Sequence, residues 1–147
     1  MSDAEIAEVR ELLRRAVTRN DASAMREAVD RLFGGGPEGL SAATEYELRH
    51  PEYVMEMPQS GERIRGREAM RRMQEDYPVP PTITVRRVTG AGPVWVLETV
   101  NDYGGEIWHA VAVFELDQEG RILRDTRYYG RPFPPESSRA SLVERMD

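Results

Sequence analysis

The chain has 147 residues, with 20 basic and 26 acidic side chains and a formal net charge of −6. This balance argues against a strongly basic face of the kind that binds nucleic-acid phosphates or an anionic membrane surface, so neither is expected as a partner. Its apolar runs are far shorter than the ~20 residues that span a bilayer, and its first residues do not form a signal peptide, so we expect a cytoplasmic protein.

The sequence contains no cysteine and no lysine. The absence of cysteine excludes disulfides, thiolate nucleophiles, zinc–thiolate sites and iron–sulfur clusters. The absence of lysine excludes Schiff-base chemistry and the phosphate-binding lysine of a P-loop. The chemistry of this chain must therefore come from carboxylates, histidines, tyrosines and arginines.

The first third of the chain predicts three helices. Apolar residues recur every three or four positions over about 3–19, as on one face of a helix. A second helix, capped by Asp21, is predicted to end at the glycines that follow Phe33. Pro37 suits the first position of a third helix, which is predicted to run to about Leu48.

Strands dominate the rest of the sequence. Residues 53–57 alternate and predict a strand, 59–66 a polar loop and 67–77 a helix. Four further strands with short, glycine-containing connections are predicted at 82–89, 94–103, 106–116 and 121–129. Helices followed by strands predict an α+β fold, with the helices packed on one face of an antiparallel sheet. We expect one domain over 1–147, with a proline-rich C-terminal arm over about 131–147 that ends in a weak helix at about 138–146.

The strand at 106–116 is apolar on both faces. One parity carries Trp108, Ala110 and Ala112, and the other carries Ile107 and Val111 among others. An antiparallel strand with one wet face should alternate apolar and polar residues, so both faces should be covered. The helices can cover one face, and we expect a second copy of the chain to cover the outer one, giving a homodimer.

Two motifs are weak. Gly34, Gly36 and Gly39 match the spacing of a dinucleotide-binding loop, but a helix precedes them instead of a strand, so we interpret them as a helix breaker. His50 and His109 are 59 residues apart and lack metal-ligand spacing, so no metal and no cofactor is predicted. His109 is interpreted first as an interface residue, with a catalytic or proton-shuttle role as the alternative.

The sequence also lacks the motifs of serine hydrolases and zinc proteases. The remaining candidates for acid–base chemistry are strand carboxylates, namely Glu98 and Asp125, with Arg127 nearby. A carboxylate on the inner side of a sheet is desolvated, which favours its use as a general base. The alternative for each residue is a salt bridge, for instance between Asp125 and Arg127.

Several sulfur-containing and aromatic residues can form either plain core or a pocket wall. Two small residues, Ala110 and Ala112, lie between Trp108 and Phe114 and would leave room for a ligand inside a curved sheet. The residues predicted to bind a substrate are Tyr53, Met55, Met57, Trp95, Trp108, Ala112, Arg127 and Tyr129.

The run from Tyr53 to Met70 resembles the strand–loop–helix of SnoaL-like proteins, which belong to the nuclear-transport-factor-2-like superfamily. Residues 114–122 and the closing 127–129 resemble the last hairpin of that family, and the resemblance covers about residues 20–135. It implies a cone of curved antiparallel sheet lined by helices. The superfamily includes polyketide cyclases, ketosteroid isomerase and limonene epoxide hydrolase, and also plain binding proteins.

The resemblance carries over only in part. Met57 and Ala112 stand where ketosteroid isomerase has its base and its second acid, so the reaction of that particular isomerase is not expected. Arg127 stands where the epoxide hydrolase has an aspartate, and Glu98 could match its acid on an earlier strand. Asp125 is nearest to the acid–base aspartate of the cyclases.

The direction of the last strand is ambiguous in the sequence. A three-residue turn would pair Leu116 with Ile122 and point Arg124 toward the pocket. The resemblance instead points Asp125 and Arg127 inward, which needs a bulge or register shift. We favour the second register because a buried Arg124 would have no evident partner.

These patterns together predict an acid–base enzyme that uses no metal and acts on a small hydrophobic metabolite in an apolar pocket, in the manner of a cyclase, isomerase or hydrolase. Asp125, Glu98 and His109 are the predicted catalytic residues. The alternative is a binding or dimerisation module of the same fold without catalysis.

Overall fold

The computed structural model describes residues 1–34, 41–77 and 80–146. The helices in these ranges are α1 (Asp3–Arg19), α2 (Ala22–Phe33), α3 (Ala42–Leu48) and α4 (Arg67–Glu75). The strands are β1 (Arg49–Met57), β2 (Glu62–Arg65), β3 (Thr82–Ala91), β4 (Val94–Tyr103), β5 (Glu106–Leu116) and β6 (Ile122–Gly130). None of the four helices combines the length and apolar character needed to cross a membrane.

Side-chain caps fix the starts of the first two helices. Ser2 accepts a hydrogen bond from the Glu5 backbone, and the Glu5 carboxylate accepts one from the Ser2 backbone, which completes a capping box. Asp21 accepts a hydrogen bond from the backbone of Ala24 at the start of α2. The predicted helix over residues 3–19 and the predicted cap at Asp21 are confirmed.

The six strands form one curved sheet in the order β2-β1-β6-β5-β4-β3. Neighbouring strands pair antiparallel except β1 and β6, which are parallel. The meander β3–β6 therefore builds one side of the sheet, and the hairpin of β1 and β2 is added beside β6. This confirms the predicted α+β fold with helices on one face of the sheet.

The helices cover one face of the sheet, which we call the helix-covered face. A large core cluster joins α1 and α2 to Trp95, Leu97 and Leu116 on that face. A smaller cluster joins Met70 of α4 to Tyr53 and Met55 of β1. The opposite face, which we call the outer face, has no helix of the described chain packed on it.

A bulge between β5 and β6 decides which side chains of the last strand face the helices. Leu116 pairs with Ile122, but Glu115 pairs with Arg124, so Leu123 is an extra residue. The side chains beyond the bulge therefore change face relative to an unbulged strand. Asp125 lies opposite Phe114 on the helix-covered face, which confirms the register that the resemblance implied.

Four predictions of local structure are corrected. Residues 62–65, predicted as loop, form β2 as a short, largely exposed edge strand. β1 begins at Arg49 and not at Tyr53. The predicted final helix is a single 3₁₀ turn at Ser137–Arg139, because the segment lies exposed and has no surface on which to bury an apolar face. The third helix begins at Ala42; Pro37, Gly36 and Gly39 lie outside the described residues.

Candidate functional site

The carboxylate of Asp125 is the centre of a buried polar cluster on the helix-covered face. Its side chain is 1% exposed. Oδ2 accepts hydrogen bonds from the Tyr53 hydroxyl at 3.0 Å and from Nε and Nη2 of Arg127 at 2.8 and 2.6 Å. Oδ1 is equally buried but has no hydrogen-bond partner among the described residues. Asp125 thus combines one saturated oxygen with one free acceptor.

Parallel pairing brings Tyr53 to this carboxylate. Met55 of β1 lies opposite Asp125 of β6, so Tyr53 shares their face two residues earlier. Burial and the negative charge of Asp125 raise the pKa of Tyr53 above its usual value. The hydroxyl therefore stays protonated at neutral pH and acts as a donor to Asp125.

A second arginine packs against the ring of Tyr53. The guanidinium of Arg49 lies 4.7 Å from the centre of the Tyr53 ring. Arg49 is itself buried, and it donates to Glu45 at 3.0 Å and to Gln74 at 2.8 Å. Gln74 also donates to Glu45 at 2.7 Å, which closes a triangle between α3, β1 and α4. This cluster fixes the ring of Tyr53 through a stacked, desolvated cation.

Arg127 is the charged member of the site that reaches solvent. Its side chain is 23% exposed, against 1% for Asp125. Burial acts to lower the pKa of Arg127, but the Asp125 carboxylate outweighs it and holds that pKa well above its usual value. The two bonds to Asp125 use Nε and Nη2, and Nη1 takes part in neither.

Apolar and aromatic side chains surround this exposed guanidinium. Ala112 of β5 lies directly opposite Arg127, and Ala110 lies opposite Tyr129. Trp108 and Tyr129 meet edge to face, with ring centroids 6.5 Å apart. Among the predicted substrate-binding residues, the structure leaves Met57, Trp108, Ala112, Arg127 and Tyr129 partly exposed here. The arrangement can present one cation and one buried carboxylate to a ligand with an apolar body.

Solved structures share this architecture. The chain is 28% identical to a nuclear-transport-factor-2-like protein of unknown function from Burkholderia xenovorans, with a TM-score of 0.73 over 83% of this chain and 94% of that one. The chain belongs to the nuclear-transport-factor-2-like superfamily. A candidate ketosteroid isomerase from Kribbella flavida is also 28% identical, with a TM-score of 0.65 over 96% of this chain and 91% of that one.

A more distant likeness, at 19% identity, is to an epoxide hydrolase from Mycobacterium tuberculosis that resembles limonene epoxide hydrolase. Its TM-score is 0.56, over 71% of this chain and 80% of that one, so it supports the fold alone. The sequence matches no family model and no curated protein. The superfamily predicted from the sequence is confirmed, and membership in its SnoaL-like branch stays a prediction.

Two of the predicted catalytic residues lie away from the site of this nuclear-transport-factor-2-like protein. Glu98 points to the outer face, where it forms ion pairs with Arg86 and Arg87, each at 2.9 Å. His109 is exposed on the same outer face. The structure therefore does not bring either residue to Asp125, because alternate residues of a strand point to opposite faces.

Three predicted substrate-binding residues are closed off from solvent. Tyr53 and Trp95 are 0% exposed and Met55 is 1% exposed. Trp95 donates from its indole nitrogen to the backbone oxygen of Gly92 at 2.8 Å and packs in the core under α1 and α2. Trp95 and Met55 are therefore core residues beneath the site. Tyr53 takes part in the site through the hydrogen bond from its hydroxyl to Asp125.

Sequence reasoning missed the supporting polar residues. Arg49 and Glu45 are four residues apart, a spacing that signals an ion pair but not its position under Tyr53. Asn101 is buried in β4 and accepts from the Thr99 hydroxyl at 2.8 Å. Thr99 and Asn101 follow Trp95 at alternate positions of β4 and therefore point to the same face. This alternation was the signal in the sequence for their burial.

An apolar pocket between the sheet and the helices stays a prediction. Two surface grooves lie elsewhere: one of about 310 Å³ runs along the outer face past Glu98 and His109, and one of about 450 Å³ lies between α1 and α2. Neither is lined by Asp125 or Arg127. No group of three or more acidic or histidine side chains in the described ranges could hold a metal ion.

Proposed function

We propose that this protein is an acid–base enzyme that acts on a small, largely hydrophobic metabolite at the Asp125–Arg127 pair. The observation that carries this proposal is the buried carboxylate of Asp125, in which Oδ2 accepts three hydrogen bonds and Oδ1 has no partner among the described residues. An unpaired buried acceptor costs about 1–3 kcal/mol, and more when it is charged. Such a cost is typical of groups retained for function.

In the proposed reaction, Oδ1 of Asp125 takes a proton from the substrate, or from the attacking water in a hydrolysis, and returns one in a later step. Oδ2 is unsuited to this role because three donors already occupy it. Arg127 faces the negative charge that develops on the substrate when the proton leaves. Tyr53 contributes by holding the carboxylate in one orientation. Cyclisation, isomerisation and hydrolysis all use such a proton transfer, and the proposal covers this class of reaction.

A specific observation supports the alternative, a binding module without catalysis. All three hydrogen bonds converge on one oxygen, and the Asp125 side chain is only 1% exposed. A buried ion pair with this geometry can also serve to fix a fold. In that case a ligand would contact Arg127 and the apolar residues without any exchange of protons.

A two-stage experiment separates the two functions. Hydrophobic metabolites are first screened by thermal shift, because any ligand specific for the native state raises the melting temperature. Conversion of each ligand is then followed with the wild-type protein and with Asp125→Asn. We expect the variant to bind ligand but to turn it over at least about a hundredfold more slowly, the usual scale for a general base.

A matched control removes a different carboxylate from an arginine. Glu75 accepts a hydrogen bond from Arg71 at 2.9 Å on the exposed surface of α4. Glu75→Gln should leave turnover unchanged. An unchanged rate in Asp125→Asn would remove Asp125 from the mechanism, and ligands that bind without being converted would favour the binding module.

We also propose that two copies pair through the outer face. This face exposes Val111 and Tyr128, which are 38% and 44% exposed, beside the groove past His109. Covering these residues would remove apolar surface from water. Light scattering after gel filtration tests the proposal, and Val111→Glu should shift the protein toward monomer. A monomeric wild-type chain at high concentration would refute it.

A further inference from the structure

The exposed part of the site is positively charged, whereas the site as a whole is neutral. Arg127 carries +1 and Asp125 carries −1, and they contact each other directly at 2.6 Å. Arg49 is 3% exposed and is already paired with Glu45. Arg131, whose guanidinium lies 4.5 Å from the centre of the Trp108 ring, is paired with Glu106. No unpaired charge of the described chain therefore remains on this part of the helix-covered face to neutralise a charged ligand.

Differences in burial set the order in which a ligand meets the two groups. A ligand that approaches along Trp108 and Ala112 reaches the 23% exposed guanidinium before the 1% exposed carboxylate. Arg127 offers only donors, since a guanidinium has no acceptor. A cation would meet like charge first, and an anion would lose its hydration while Asp125 already neutralises Arg127.

We infer that the site selects an uncharged ligand whose apolar body carries an acceptor oxygen, and that this oxygen binds Nη1 of Arg127. The class includes ketones, esters, lactones and amides, and it excludes amines and carboxylic acids of the same size. This inference rests on the proposed function for the location of the site. Beyond the proposed function, it specifies that the ligand is uncharged and carries an acceptor oxygen, and it names Arg127 as the residue that selects between ligands.

The geometry also assigns the two supporting residues. Nε and Nη2 of Arg127 both donate to Oδ2 of Asp125, so the guanidinium is held along one edge and Nη1 lies away from that oxygen. Tyr53 holds Asp125 in turn. A donor that is already held in place loses little conformational entropy when it binds an acceptor. This favours specific binding over nonspecific binding.

Four naphthalenes of similar size test this selection. They carry an acetyl, an ethyl, a carboxylate or an aminomethyl group at the same ring position. Binding to the full-length protein is measured by NMR titration, with the backbone amide of Tyr129 and the side-chain Nε–H of Arg127 as reporters of the site. We expect the acetyl compound to bind roughly tenfold to hundredfold more tightly than the ethyl compound, the usual effect of a hydrogen bond to a charged group. The carboxylate and the amine should bind more weakly than the acetyl compound.

Variants identify the residue responsible. Arg127→Met with Asp125→Asn removes both charges and the guanidinium donors, and it leaves no unpaired buried carboxylate; it should reduce the affinity for the acetyl compound to that for the ethyl compound. Arg124→Met is the matched control, because Arg124 is on the same strand but pairs with Glu56 and Glu115 on the outer face. This control should retain the preference for the acetyl compound.

The possible results lead to distinct conclusions. Tightest binding of the amine or the carboxylate overturns the inference, and so does a preference that survives loss of Arg127. Absence of reporter shifts with all four compounds at their solubility limits also overturns it. Binding in the expected order, with no turnover of any ligand found by the thermal screen, refutes the enzyme proposal and leaves the ligand class standing.

Discussion

Tyr53→Phe isolates the hydrogen bond between Tyr53 and Asp125. The substitution removes one hydroxyl from a side chain that is 0% exposed and leaves the ring in place. Within the described part of the chain, the Asp125 side chain then keeps only its bonds from Arg127, and Oδ1 still has no partner. A hydrogen bond to a charged group contributes about 1.5–3 kcal/mol, so we expect the free energy of unfolding to fall by that amount. For a chain of this size the melting temperature should fall by about 3–12 °C.

Urea unfolding followed by tryptophan fluorescence measures this change, because Trp95 is fully buried in the native state. The urea midpoint should fall while the slope stays constant, since the surface exposed on unfolding does not change. Tyr128→Phe is the control, because Tyr128 is on the strand of Asp125 but is 44% exposed on the outer face. Its effect should stay within about 0.5 kcal/mol. Equal midpoints for Tyr53→Phe and wild type would show that the buried carboxylate does not depend on this donor.

Three further predictions concern pH, a turn and the end of β6. The native pKa of Tyr53 is raised above its ordinary value of 10.0, so above that pH the unfolded chain releases a proton that the native state keeps. Stability should therefore decrease as the pH rises past about 10, and the difference in urea midpoint between wild type and Tyr53→Phe should shrink between about pH 8 and pH 11. Gly120 has φ +81°, and a Cβ there would lie 2.6 Å from a backbone nitrogen of α1. Gly120→Ala should therefore lower the free energy of unfolding by more than about 2 kcal/mol. Gly104 has φ +69° but open space around it, so Gly104→Ala should lower that free energy by only about 1 kcal/mol. Equal effects of the two substitutions in chemical denaturation would contradict the close approach of Gly120 to α1. The Gln59 side chain bonds the backbone N–H and C=O of Tyr129 at 2.5 and 2.6 Å, so Gln59→Ala should accelerate hydrogen exchange of the Tyr129 amide, and an unchanged rate would show that the strand end is held by other contacts.

The sequence was most informative where local periodicity decides structure. The bounds of β4 and β5 match the predicted segments because alternation and glycine turns are local signals. β2 was missed because an exposed edge strand has no buried face, and its sequence is mostly charged. The last helix was predicted from apolar spacing, yet Leu142 is 87% exposed and has no partner surface among the described residues.

The sequence predicted only part of the site, because local patterns do not show which distant residues come into contact. Asp125 and Arg127 are two residues apart, so their shared face follows from strand geometry once the bulge is known. Glu98 was misplaced relative to Asp125 because its partners, Arg86 and Arg87, come from the neighbouring strand and leave no mark near it in sequence. The contact between Tyr53 and Asp125 spans 72 residues, and only the pairing of β1 with β6 reveals it.

The pairing of β1 with β6 has a consequence for synthesis on the ribosome. β1 is made early, but its neighbour in the middle of the sheet is the last strand of the chain. Contacts this far apart in sequence form slowly and only after the intervening chain has been ordered. Tyr53 therefore meets its carboxylate partner only after Asp125, 72 residues later, has been translated. A nascent chain stalled before Ile122 would carry the first hairpin without the buried charge pair.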